Sequence, residues 1–188
     1  MVGIGIGIGI QYVTEPIAEV VPDVGWLKCT YKEDQTDALS GITNSLSTSY
    51  TESVGDYFIP TMRIYLQNTI GDDWDGTDPV KTYSQYFGYG VNVDVVQETL
   101  TNYASSPSGT APSAPYSNAF RIYFPISSDD LPKAGAVLWI KDIVLKVYNA
   151  SDVLLFTYTS DFTSSLDGWG DYSIEGVLTK EYNQELLS

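Results

Sequence analysis

Glycine and isoleucine alternate from Gly3 to Ile10, and this eight-residue run admits one regular conformation. Successive side chains of an extended strand point to opposite faces. Ile4, Ile6, Ile8, Ile10 and Tyr12 therefore line one side, while Gly3, Gly5, Gly7 and Gly9 leave the other bare. A helix is excluded on cost: each interior glycine loses about 1 kcal/mol against alanine, so four lose about 4 kcal/mol, and the isoleucines would be spread around the circumference.

Such a ribbon does not stand alone. Its glycines lose the most backbone entropy on ordering, and its isoleucines gain nothing until another surface covers them. Three homes are open to it: a first strand of the chain's own sandwich, a disordered tail, or an arm that adds itself as a strand to a neighbouring subunit, docking through Ile4, Ile6, Ile8, Ile10 and Tyr12. Membrane targeting is not expected. No basic segment precedes the apolar run, and the run is far shorter than the roughly 20 residues of a span. The first glycine follows Val2, which breaks the myristoylation pattern.

Charge and composition narrow the function classes. The 188 residues carry 24 acids against 9 bases, a net charge of −15, and no basic residue lies between Lys81 and Arg121. Binding a phosphate backbone needs clustered Lys and Arg, so nucleic acid is not an expected partner. Histidine is absent, which removes the Ser-His-acid and Cys-His nucleophile systems together with histidine-based transition-metal sites. Cys29 is the single cysteine, so no disulfide can form within the chain and stability must come from packing or association. The 15 tyrosines, with threonine, valine and isoleucine, favour pleated surfaces.

Two parts are expected along the chain. Residues 1–23 form the glycine–isoleucine arm and a linker in which Pro16 and Pro22 flank a short apolar piece; residues 24–188 form the body. Strands are expected at Gly25 to Tyr31, Asp56 to Asn68, in two pieces within Val80 to Gln97, around Phe120 to Ile126, at Val137 to Tyr148 and at Val153 to Thr159, with a last one at Tyr172 to Leu178. Residues 32 to 53 read as polar loop with one edge strand. Ser105 to Ser117, with three prolines and no aliphatic residue larger than alanine, reads as a solvated loop. Eight to ten strands with turns between them predict an all-β fold: a jelly-roll-like two-sheet β-sandwich with an extended N-terminal arm.

Two acidic clusters are candidate sites. In Gly71 to Pro79, Asp73, Asp75 and Asp78 surround Gly76, and a tight glycine turn can gather alternate carboxylates around a hard cation such as calcium, although the downstream glutamate of an EF-hand is missing. In Asp161 to Ser173, Trp169 lies between two glycines and near Asp167 and Asp171. An exposed indole flanked by acids can stack on a sugar ring while the acids accept hydroxyl hydrogen bonds, with Trp74 a second candidate; the competing reading makes Trp169 a plug for the sandwich end. A glycosidase would need two carboxylates about 5 to 9.5 Å apart in one cleft, and no pair among the 24 acids stands out.

Two resemblances attach to these residues. FTSSLDGWGDYS resembles the opening strand of carbohydrate-binding jelly rolls, and FRIYFPI followed by VLWIKDIVLKVYN is similar to their closing strands, with Lys141 where those modules carry an acid and the opening phrase displaced to the C-terminal end. That likeness implies a fold and assigns no binding residue. The run at Gly3 to Ile10, opening an acidic, histidine-free, tyrosine-rich β protein, resembles small virion proteins of tailed bacteriophages, the head fibres and capsid decoration proteins. This resemblance implies a non-enzymatic structural protein on the capsid surface, anchored by its N-terminal segment to other virion proteins and to copies of itself as a homotrimer. The alternative is a carbohydrate-binding module for host-surface or environmental glycans. No cofactor is expected beyond calcium at the Gly71 to Pro79 loop.

Overall fold

The computed structural model of the chain describes residues 23–35, 40–45, 53–67, 80–84, 89–93, 98–104, 108–110, 119–124, 132–172 and 177–186. Among them are twelve strands and no helix: β1 (Trp26–Tyr31), β2 (Ser40–Ser45), β3 (Tyr57–Gln67), β4 (Val80–Ser84), β5 (Tyr89–Val93), β6 (Thr101–Ala104), β7 (Ser108–Thr110), β8 (Ala119–Phe124), β9 (Val137–Tyr148), β10 (Leu154–Ser160), β11 (Trp169–Tyr172) and β12 (Leu178–Gln184).

The strands form two sheets in which every pairing is antiparallel. One has the order β12-β1-β9-β3-β6, with β10 also on β9 and β7 also on β3; the other has the order β11-β2-β8-β4-β5. Within them β1-β9-β3-β6 faces β2-β8-β4-β5, and the chain alternates sheets as a double Greek key does, so the sandwich is a jelly roll. β11 and β12 lengthen the two sheets by one strand each, beside β2 and β1.

Side-chain alternation explains how the layers close. Phe58, Met62, Ile64 and Leu66 turn inward from β3, as their spacing predicts, and meet Leu27, Cys29 and Tyr31 of β1 and Phe120 and Ile122 of β8 in one buried cluster. Full burial of one such side chain is worth about 1.5–3 kcal/mol, so this layer is the principal source of stability. Pro60 lies between the residues that β6 and β7 pair, which cover 61–64 and 57–58 respectively, so its missing N–H interrupts no ladder on that side.

β9 departs from simple alternation. Strict period-two reading puts Val137 and Trp139 on the face of Ile143, Leu145 and Val147. In the structure Leu138 and Ile140 share the core with those three, and Val137 and Trp139 face outward. The cause is a bulge. Thr61 pairs with Val144 but Arg63 pairs with Lys141, so β9 carries one extra residue, and Asp142 takes it up with φ +54°. An extra residue reverses the facing of everything beyond it.

Other expectations are corrected. Ser40–Ser45 is no edge strand: it lies between β11 and β8 with Ile42 fully buried. Ser108–Thr110, inside the proline-rich segment expected to be loop, pairs with β3. Of the last strand expected over Tyr172 to Leu178, residues 173–176 lie outside the described residues; β11 ends at Tyr172 and β12 begins at Leu178.

Candidate interaction surface

Of the residues singled out by sequence, Ile4, Ile6, Ile8, Ile10, Tyr12, Trp74, Asp73, Asp75 and Asp78 lie outside the described residues. Asp167, Trp169 and Asp171 lie within them, on β11 and the turn leading into it.

Trp169 does not present an indole to solvent. It is 2% exposed, edge-on to Phe120 at 6.2 Å between ring centroids and tilted against Phe162 at 6.4 Å. The expected sugar-stacking platform is thus replaced by an aromatic plug between β8 and the β10–β11 turn, because β11 pairs with β2 and turns this side chain inward.

Asp167 is spent on the turn that delivers Trp169. One carboxylate oxygen accepts from Ser160 Oγ at 2.7 Å and from the Phe162 N–H at 3.2 Å; the other accepts from Ser165 Oγ at 2.6 Å. Burial raises the carboxyl pKa, but these donors outweigh it and hold the group below its ordinary value. The Asp167 carbonyl accepts from Asn44 Nδ2 at 2.7 Å, tying the turn to β2. Gly168 follows at φ +82°, where a Cβ would stand 3.3 Å from Asn44 Nδ2.

Asp171 forms an ion pair with Lys180, their side chains 7% and 16% exposed. Register places Asp171 beside Ile42 and Lys180 beside Cys29, so the pair bridges the two sheets between β11 and β12. Burial pushes the adjacent Cys29 thiol up to about 12 despite the nearby ammonium, which leaves it an inert core group. No group of three or more metal-ligating side chains is found among the described residues.

A cluster that sequence reasoning missed sits on the outer face of the larger sheet. Trp26, fully buried, packs with Val137 and Trp139 and with the half-buried Tyr65 and Leu186. The Arg63 guanidinium lies 4.9 Å from the Trp26 ring centroid, the Lys141 ammonium 5.9 Å from it, and Lys28 stands over Trp139 at 5.6 Å. Both Arg63 and Lys141 close on Asp23: Arg63 donates to its two oxygens at 2.8 and 3.4 Å, and Lys141 donates to one at 2.6 Å and to the Val24 carbonyl. Partial burial opposes the charge on Asp23, but Lys141, Arg63 and Trp26 prevail and lower its pKa to about 2. Asp23 is where the residues following the arm join the body. No local signal marks it, because Arg63 and Lys141 are 40 and 118 positions away.

β10 is the remaining exposed feature. It pairs with β9 on one side, and among the described residues no strand pairs with its other edge. Val153, Leu154 and Leu155 are 54%, 49% and 43% exposed, and Val153 to Ser160 carries no charge. This seven-residue edge carries no charge and no proline, and beyond the register shift between Leu154 and Phe156 its regular part runs from Phe156 to Ser160.

Compared with known proteins, the chain matches no protein-family model, no curated protein and no solved structure.

Proposed function

We propose that the protein is a structural protein of a bacteriophage virion, attached to the capsid or to a neighbouring subunit through its N-terminal arm, with the jelly roll displayed outward. The observation that carries this reading is topological. The described strands already supply all eight jelly-roll positions and four further strands, so the glycine–isoleucine run is not needed to complete either sheet. A run that gains stability only when covered, joined to a body that does not require it, suits attachment. The junction suits it too: Asp23 is held by Arg63 and Lys141 over Trp26, which gives an arm a fixed root on the outer face.

A non-catalytic role is part of this reading, and the partners of two acids support it. Asp167 and Asp171, the acids nearest Trp169, are engaged in the turn and in the ion pair with Lys180. Burial of Trp169 likewise weighs against a carbohydrate-binding module built on that indole.

The test is deletion of Met1 to Thr14. The mass in solution should fall from an oligomer to a single chain by light scattering, and co-sedimentation with virus particles should be lost, while the thermal transition of the body stays in place. Unchanged mass and unchanged sedimentation would refute the attachment role.

A further inference from the structure

We infer that the receiving site of the glycine–isoleucine run is the open edge of β10 on a second copy of the chain, where the run adds as a strand. This rests on the attachment role proposed above and names its acceptor.

The two partners match in length, polarity and charge. β10 is seven residues long and the alternation from Gly3 to Ile10 is eight. Both are uncharged: Met1 to Thr14 contains no acidic or basic side chain, and neither does Val153 to Ser160. The competing edge of the same sheet, β12, carries Lys180 and Glu181 and so has the charges that discourage strand addition. β6, at the opposite margin, is four residues long.

β10 also offers a layer for the isoleucines. Phe156 and Tyr158 are half-buried and pack against the core from one face of β10. An added strand with its isoleucines on that face continues the apolar layer by one strand, and its bare glycine face adds nothing to the outer side, where Leu155 and Thr157 stand.

Reach permits a neighbour's edge. The root of the arm lies at the C-terminal end of β10, since a Cβ on Gly25 would stand 3.2 Å from the Asp161 carbonyl oxygen. Twelve residues, Gln11 to Pro22, separate the run from that root, and Pro16 and Pro22 fix φ at two of them. Twelve residues can span at most about 40 Å, which exceeds the roughly 23 Å length of β10 and is enough to reach a neighbouring copy. Reciprocal exchange between two copies, or addition around a closed ring, gives an oligomer of fixed size.

Amide hydrogen exchange read by mass spectrometry tests this on the full chain. Peptides covering 154–160 should exchange about tenfold or more slowly in the intact oligomer than in the Met1 to Thr14 deletion, with peptides of β12 unchanged between the two. The double variant Ile6→Lys/Ile8→Lys, which places charge on the face laid against Phe156 and Tyr158, should dissociate the oligomer as the deletion does while keeping the thermal transition. If deletion dissociates the oligomer but exchange at 154–160 is the same in both, the acceptor is wrong and the attachment role stands. If the oligomer survives deletion, the attachment role itself fails. Protection of β10 that persists after dilution to single chains would mean that each chain covers its own edge, which also overturns the inference.

Discussion

Replacing Asp171 with alanine should destabilise the sandwich far more than loss of a surface acid would. In the native protein its carboxylate neutralises Lys180, whose side chain is only 16% exposed and lies in register with buried Cys29. Alanine leaves that ammonium enclosed without its partner. Removing one member of a fully buried pair costs about 3–5 kcal/mol. Lys180 retains some access to water, so the expected loss is about 2–3 kcal/mol, which for a chain of this size lowers the melting temperature by roughly 5–10 °C. The assay is urea unfolding followed by tryptophan fluorescence, with thermal unfolding as a second probe. A displaced midpoint with an unchanged slope identifies a stability effect. The double variant Asp171→Ala/Lys180→Met should lose less than Asp171→Ala alone, because the stranded charge is gone as well. The surface pair Lys28–Glu181, with side chains 30% and 44% exposed, supplies the control, and Glu181→Ala should cost at most about 1 kcal/mol. An Asp171→Ala protein within about 0.5 kcal/mol of the parent, or strictly additive losses in the double variant, would refute the inter-sheet clamp.

Three further outcomes are expected. Trp169→Ala, which empties a space between Phe120 and Phe162, should cost about 3–5 kcal/mol in the same urea assay, and a glycan array should stay blank for the parent protein. Gly41→Ala should prevent normal pairing of β2 with β8, since its Cβ would meet the Ile122 carbonyl oxygen at 2.1 Å and the Tyr123 Cα at 2.6 Å; loss of soluble protein or of the cooperative transition is the readout. Asp23 has a folded pKa of about 2 against an ordinary 3.8, so its contribution is complete above pH 4 and is lost as acidity rises from 3.8 to 2. The shift corresponds nominally to about 2.5 kcal/mol, which partial exposure of the carboxylate reduces to about 1 kcal/mol. Asp23→Asn should therefore lower stability by about 1 kcal/mol above pH 4 and flatten the profile between pH 3.8 and 2, with the two proteins converging below that interval.

Strand existence was legible where local chemistry decides it. Phe58, Met62, Ile64 and Leu66 alternate against a polar face, and the structure buries every one. The limits of β9 match the apolar segment from Val137 to Tyr148, yet its facing was misread at Asp142, because a bulge depends on how two strands register and not on either sequence. β2 was undervalued for a related reason. Ser40–Ser45 has a single large apolar side chain, and its central place comes from the partners β8 and β11 supply.

The candidate sites divide along the same line. Sequence alone pointed to an all-β body, which the described residues bear out, and closed histidine-based chemistry to the chain, since each follows from residue type and period-two spacing; its expectation of an extended glycine–isoleucine run lies outside the described residues. Only the tertiary structure decided which side chains water can reach. It turned Trp169 inward, committed Asp167 and Asp171 to internal partners, gathered Asp23, Trp26, Arg63 and Lys141 from distant positions, and, among the described residues, gave β10 a strand partner on one edge only. Burial and pairing are set by contacts between residues far apart in the chain, and no local pattern encodes them.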